Sequence, residues 1–325
     1  MQPISRRGFG ALGLAAGCAV TARPALAAWP ADDPIMVVVP FPPGGGVDQM
    51  ARLLLPHVQR HLPGASFVVE NRPGAGSQVG MEYAFRARPD GYTLCAVTSP
   101  ALMTMPIERP VQYRVADFVF LANAVDDPGA LWVRGNSPIR SFADLLDRAR
   151  RAPGTVTLGT TGIGSDDHLV QLEIESAMPG VSFSHVPFAG SAPMLTALLG
   201  GHIDVASFNL SEGVNGQRDG TLRCLGQATA ERDAMLPEAP TLREQGSGVV
   251  SGAQRGFVAP PGLPDAIRDR LVQAFRAALA DPAFLADARR VQMPVRAVVG
   301  DEYRATVLGL DARLKEMWAR KPWRE

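Results

Sequence analysis

From Pro34 to Pro40 the chain reads PIMVVVP, a continuous apolar run rich in β-branched residues, and after a Pro/Gly turn Met50, Leu53, Leu54 and Val58 recur at helical spacing. An uninterrupted apolar run of that length predicts a strand buried on both faces, and the spacing after it predicts a helix with one apolar side. The plan then repeats. SFVVENRPGAGSQVGMEYAFRARPDGYTLCAV predicts a strand to Val69, a Gly-rich turn, a helix near 77–87, a turn at Pro89-Asp90-Gly91 and a strand through Val97. FVFLANAVDDPGALWVRG adds two apolar segments, and Ser141 is placed to N-cap an amphipathic helix running to about Arg151. TVTLGTT, VSFSHVPF, IDVASFN and LRCLGQA read as strands, with helices after GIGSDD and at SAPMLTALLGG. LPEAPTLREQG reads as an exposed loop with one helical turn, and helices are expected near 264–280, 282–291 and 300–318. Strands alternating with helices predict an α/β fold with a parallel sheet, whose ligands bind beyond the carboxyl ends of the strands. The Gly-rich turns after strands at 39, 69 and 160 mark that edge.

Composition adds limits to this pattern. With 325 residues, 46% hydrophobic and 20% charged, the chain can fill two ordinary domains or one two-lobed unit. Its formal net charge of zero argues against nucleic acid or an anionic membrane surface as a partner. The first 27 residues carry Arg6 and Arg7 ahead of an apolar stretch, then the small-residue site Ala25-Leu26-Ala27, and so read as an export signal of twin-arginine type cleaved near Ala27. Its removal leaves 29 basic against 32 acidic residues, a net charge of −3. A periplasmic location is expected. Cys95 and Cys224 lie in apolar runs and read as buried thiols, while Cys18 falls within the signal. No zinc spacing or later membrane-length apolar run occurs, and His57, His61, His185 and His202 read as surface or packing residues.

Three turns carry candidate chemistry. In PFPPGGGVD, prolines fix the path of the chain and consecutive glycines let backbone N–H groups approach a ligand just ahead of a helix N-terminus; a tight strand-to-helix connection is the plainer reading. The motif lacks the Lys-Ser/Thr ending of a nucleotide-binding loop, and NRPGAGSQVG lacks the glycine order of a dinucleotide site. In GIGSDDHL two aspartates occupy the first helical turn, where an anion would otherwise dock. Asp166 and Asp167 read as helix caps, as a filter for a solute bearing an amine, amide or hydroxyl donor, or, with His168, as a catalytic or metal cluster. Consecutive helical residues point in different directions, which counts against the last.

Taken together and in order, VVPFPPGGGVD, VVENRPGAGSQVG, ARPDGYTL, the turn before His168-Leu169, HVPFAGSAPMLTALLGGHIDVASFN, LPEAPTLREQG and RGFVAPPGLP resemble the tripartite tricarboxylate transporter substrate-binding proteins, the Bug-type periplasmic receptors. The resemblance implies a fold like the type II periplasmic binding proteins, two α/β lobes with a ligand cleft between them. Lobe 1 would be residues 28–120 plus 223–325 and lobe 2 residues 121–222. It implies a monomer that binds a small organic acid or related solute for membrane transporter subunits, with no cofactor and no metal. Carried over by position, the ligand would be met by Phe41, Pro43, Gly44, Gly45 and Ser99 of one lobe. Gly162, Gly164, Ser165, Asp166, His168, Phe188, Gly190, Ser191 and Asn209 would meet it from the other, through backbone N–H groups, hydroxyls and water, with no buried arginine required. Asp166-Asp167 and Ser207-Phe208-Asn209 depart from the family pattern, so the solute stays open. A ligand sensor for a signalling system would use the same pocket. An exported hydrolase with Asp166 or Asp167 as general base beside His168 is the alternative of another class, and no nucleophile elbow accompanies it.

Overall fold

The structure, a computed structural model, describes residues 29–320 together with 322 and 323. The export-signal reading of residues 1 to 27 lies outside the described residues. The first lobe begins with β1 (Ile35–Val39), α1 (Gly46–Arg60), β2 (Phe67–Asn71), α2 (Gln78–Phe85), β3 (Thr93–Ser99) and α3 (Ala101–Glu108). The chain then enters β4 (Val119–Arg134), which leads into α4 (Phe142–Arg151), β5 (Thr157–Thr160), α5 (Asp166–Ala177), β6 (Ser184–Pro187), α6 (Ser191–Leu199), β7 (Val205–Asn209), α7 (Leu210–Asp219) and β8 (Leu222–Gln227). It returns through β9 (Gly252–Ala259) to α8 (Asp265–Ala280), α9 (Pro282–Arg290), β10 (Val295–Val299) and α10 (Asp301–Arg320).

β4 joins the two halves. VFLANAVDDPGALWVR is one 16-residue strand and not two segments. Up to Pro128 it pairs antiparallel with β9 and β10, and from Gly129 it pairs antiparallel with β7 and β8. Proline cannot donate to a ladder, so Pro128 suits the position where the strand changes sheets. The chain crosses back beside it: Ala228 N–H donates to Gly129 C=O at 2.7 Å, and Gly129 and Ser251 are bonded at 2.9 Å. Each half-sheet keeps a parallel portion, β2-β1-β3 in one and β6-β5-β7 in the other, but the whole is mixed because β9 runs antiparallel between β3 and β4.

Strand alternation fills a core on each face of each half-sheet. Val37 packs with Leu54, Phe257 and Phe275 on one face, while its neighbour Val38 packs with Met81, Val97 and Tyr303 on the other. In the other half, Leu131 joins Phe142 and Ile174, and Trp132 stacks on Phe208 with ring centroids 5.4 Å apart. Leu225, Ala228, Leu242 and Val249 belong to the first of those two cores, so the return segment packs with the second half of the molecule. Cys95 and Cys224 are buried and unpaired, in different cores. No described helix is long and apolar enough to cross a membrane.

Candidate functional site

One side of the site is the turn PFPPGGGVD. Beyond the end of β1 the prolines lead the chain off the sheet, and α1 starts at Gly46 with Gly45 as its N-cap. The first N–H groups of a helix have no intrahelical partner and together carry a partial positive charge. Gly44 sits at φ +88°, a left-handed conformation that glycine adopts freely. Asp48 folds back to accept the Gly44 N–H at 2.9 Å, and Arg52 at 3.0 Å and Asn71 at 2.9 Å hold it there. Burial alone would raise the Asp48 pKa, but these donors outweigh it and keep the carboxyl below its ordinary value.

The opposite side is built by the starts of α5, α6 and α7. The two sides touch: a Cβ placed on Gly45 would stand 3.2 Å from Ser191 Oγ, and one on Gly190 would stand 3.4 Å from Pro42 Cδ. Between them remains a cavity of about 40 Å³, room for roughly three water molecules.

Its charges centre on Arg255, which projects from β9 and is 4% exposed. Arg255 Nη1 donates to Asp127 Oδ2 at 2.8 Å, and Nη2 donates to Asn209 Oδ1 at 2.7 Å and Glu212 Oε2 at 3.2 Å. The other Glu212 oxygen accepts the Gly46 N–H at 2.8 Å and the Ser191 hydroxyl at 2.7 Å. A carboxylate of the chain thus sits where the starts of α1 and α6 converge, and ties one half of the molecule to the other. Asp166 lines the cavity and accepts from Asn209 Nδ2 at 2.9 Å. Burial pushes the Asp166 pKa up to about 6, with the Glu212 charge adding to the rise and Asn209 and Arg255 opposing it. Burial also raises the Asp127 carboxyl despite the Arg255 contact. For Arg255, burial works against the charge, but Asp127, Glu212 and Asp166 outweigh it and raise its pKa further.

GIGSDDHL divides its labour. Ser165 is the N-cap of α5, its hydroxyl accepting the His168 N–H at 3.2 Å, so the cap is the serine and neither aspartate. Asp167 turns back to Thr161, accepting its N–H at 3.3 Å and its hydroxyl at 2.5 Å. Burial, with the neighbouring Asp166 charge, raises Asp167 well above the usual carboxylate range. His168 Nδ1 accepts the Gly164 N–H at 3.1 Å, and its ring stacks on His185 with centroids 4.1 Å apart. Burial, reinforced by His185, pushes the His168 pKa down to about 3, so the ring is neutral. Asp166 and His168 therefore do not converge on the cavity as an acid–base pair would need to. From the first half, Thr104 Oγ1 donates to Gly164 C=O at 2.6 Å and clasps the turn from behind.

Comparison with known proteins gives this arrangement its context. The sequence model of the tripartite tricarboxylate transporter family receptor matches residues 50–305. The chain belongs to this family. A Cupriavidus necator relative, the UPF0065 protein in the gbd 5' region, is 32% identical over 282 residues, covering 86% of this chain and 85% of that protein. The solved periplasmic binding protein BugD superposes with a TM-score of 0.82 at 28% identity, over 88% of this chain and 97% of its own. An R. palustris protein solved with adipate superposes with a TM-score of 0.82 at 29% identity, over 90% and 97%. The two halves described above are the two lobes of the periplasmic binding protein fold.

Against the site that the family resemblance implied, Phe41, Gly45, Asp166, Gly190, Ser191 and Asn209 line the cavity. The others stand around it. Pro43 and Gly44 form the exposed outer part of the first turn, and Ser99 is buried at the end of β3. Gly162, Gly164, Ser165 and His168 form the turn behind Asp166, and Phe188 packs over Gly159. Sequence reasoning missed Arg255 and Glu212, both of which line the cavity, and Asp127, which anchors Arg255. A signal existed for Arg255. Once GAQRGFVA is read as a strand, alternation puts Arg255 on one face with Ala253 and Phe257, both fully buried. A buried arginine then demands partners.

Proposed function

We propose that the chain is an extracytoplasmic solute receptor that captures a small organic acid or related amide between its lobes and delivers it to a tripartite tricarboxylate-type membrane transporter. The observation that carries this reading is the cavity itself, enclosed by Gly-rich helix starts from opposite lobes and crossed by the Gly46–Glu212 and Arg255–Asn209 bonds. A site of that construction closes as the lobes approach, and a solute bridging both sides stabilises the closed state. The R. palustris structure with adipate supports a small organic acid as the class of solute. We read residues 1–27 as a twin-arginine-type signal, which would carry the mature protein to the periplasm. We divide the lobes at 128/129 and 251/252, where β4 changes partners and the return segment leaves the second-lobe core, and not near 120 and 222.

Native mass spectrometry of protein purified without refolding tests the reading, because a receptor retains its solute. A panel of organic acids, amino acids and amides should also raise the melting temperature with ligand concentration. Absence of any retained solute together with no shift from any panel member would overturn it. Co-purification with membrane subunits of the transporter, strengthened by solute, tests the delivery step.

A further inference from the structure

Glu212 occupies the place where a solute carboxylate would be expected to dock. Two donors at helix starts, the Gly46 N–H of α1 and the Ser191 hydroxyl of α6, both point to Glu212 Oε1 at 2.8 and 2.7 Å. The guanidinium beside them is also committed, with Nη1 on Asp127 and Nη2 shared between Asn209 and Glu212. Three carboxylates, Asp127, Asp166 and Glu212, surround this buried arginine, and Asp167 lies behind Asp166. Opposite charge is therefore in deficit at the cavity wall. An incoming carboxylate would have to eject Glu212 from its donors and leave both negative groups in a cavity with room for only a few waters, where their repulsion is weakly screened.

Resting on the receptor reading above, we propose that the solute presents a protonated amine to this cavity, received by Asp166 and Glu212. An ammonium carries three donors and no acceptor, so it can bond to both carboxylates while Glu212 keeps its contacts to Gly46 and Ser191. It also supplies the missing positive charge. The solute class is then an amino acid or small amine, with any carboxylate of its own directed away from Glu212.

Isothermal titration calorimetry at pH 7.5 with three probes of matched length, succinate, 4-aminobutyrate and putrescine, tests the assignment. An amine-bearing probe is expected to bind on the order of a hundredfold more tightly than succinate. Glu212→Gln, which keeps the size and one acceptor oxygen, should weaken the amine by on the order of tenfold or more and relieve the exclusion of succinate. Asp166→Asn is the second variant should Glu212→Gln fail to fold, with the same direction expected. Tighter binding of succinate than of both amines by the wild-type protein overturns the inference and leaves the receptor reading intact, as does a retained solute that carries no amine. Silence with all three probes overturns the inference as well. The receptor reading falls with it only if the purified protein also retains no solute and no panel member raises its melting temperature.

Discussion

Arg255 and Asp127 form the part of the site whose removal the fold tolerates least. Asp127 is fully buried, and its two oxygens are shared among Arg255 Nη1, the Ser211 N–H and the Ser211 hydroxyl. Arg255→Met would leave that carboxylate without its counter-charge, a loss of about 3–5 kcal/mol for a broken buried pair. Asp127→Leu combined with Arg255→Met should recover much of the loss, because replacing both partners removes the uncompensated charge. Urea denaturation of the single and double variants measures this, and near-wild-type stability of Arg255→Met would contradict it. The crowding of carboxylates also sets a pH dependence. Asp166 titrates near 3.8 when unfolded and at about 6 when folded, so between those values the folded chain holds a proton that the unfolded chain has released. Its contribution to stability is full below about pH 4 and is lost as the pH rises through 6, and Asp127 and Asp167 shift in the same direction. Asp281, lowered to about 2 chiefly by the Arg60 hydrogen bond, loses its contribution only below that window. His168, pushed down to about 3 in the fold, opposes this because its unfolded ring takes up a proton below about 6.5. Glu173, pushed up to about 7 by burial, adds to the carboxylate side. The solute-free protein should therefore still melt at a higher temperature at pH 5 than at pH 7.5, which thermal melts across that range will read.

The elements that sequence periodicity predicts are those whose apolar pattern is uninterrupted. β1, α1, β5 and α8 fall where PIMVVVP, the Met50-to-Val58 spacing, TVTLGTT and the helix expected at 264–280 place them. The elements that it hides carry a residue needed by the site or by close packing. β9 is hidden because Arg255 and the flanking glycines break its apolar run, yet it is the strand between β3 and β4. β4 read as two pieces because Asp126-Asp127-Pro128-Gly129 resembles a turn, and Asp127 there is the anchor of the buried arginine. α7 escaped because Gly213 and Gly216 weaken a helical reading. Gly213 has a packing reason: a Cβ there would lie 2.4 Å from the Trp132 ring. Gly213→Ala gains helix propensity but overpacks a fully buried tryptophan, so a net destabilisation of about 1–3 kcal/mol is expected, measured by chemical denaturation. A gain in stability would show that the ring can yield. For the same reason the site was half legible. The glycines that approach the cavity announce themselves in the sequence, while the charged residues from β4, β9 and α7 meet only after strands distant in the chain are paired.

At the scale of the whole molecule, each lobe has cores of its own, and the lobes are joined by polar bonds beside the cavity and by an apolar seam, where Leu169, Ile163 and Leu172 of the second lobe pack with the first-lobe core of Met81, Leu102 and Trp323. Gly46 to Glu212, Arg255 to Asn209 and Thr104 to Gly164 span the cleft, while Gly129, Ala228 and Ser251 lie at the crossing of the two connecting strands. Opening at the cavity breaks the polar bonds that cross it, which suits capture and release of a solute. Gly45 is the position at which to test it. Its backbone, at φ −81° and ψ 169°, accepts any side chain, but a Cβ would already stand 3.2 Å from Ser191 Oγ across the cleft. Gly45→Leu should therefore act as a wedge: the N-cap change costs about 1 kcal/mol, both lobes stay folded, and the cleft is held open. Small-angle scattering of the variant with solute should give a larger radius of gyration than wild type with solute, and calorimetry should show affinity reduced by on the order of a hundredfold, because binding can no longer draw on contacts from both lobes. Wild-type affinity in Gly45→Leu would mean that one lobe binds the solute alone. In that case the bonds across the cleft would hold the lobes together without taking part in capture.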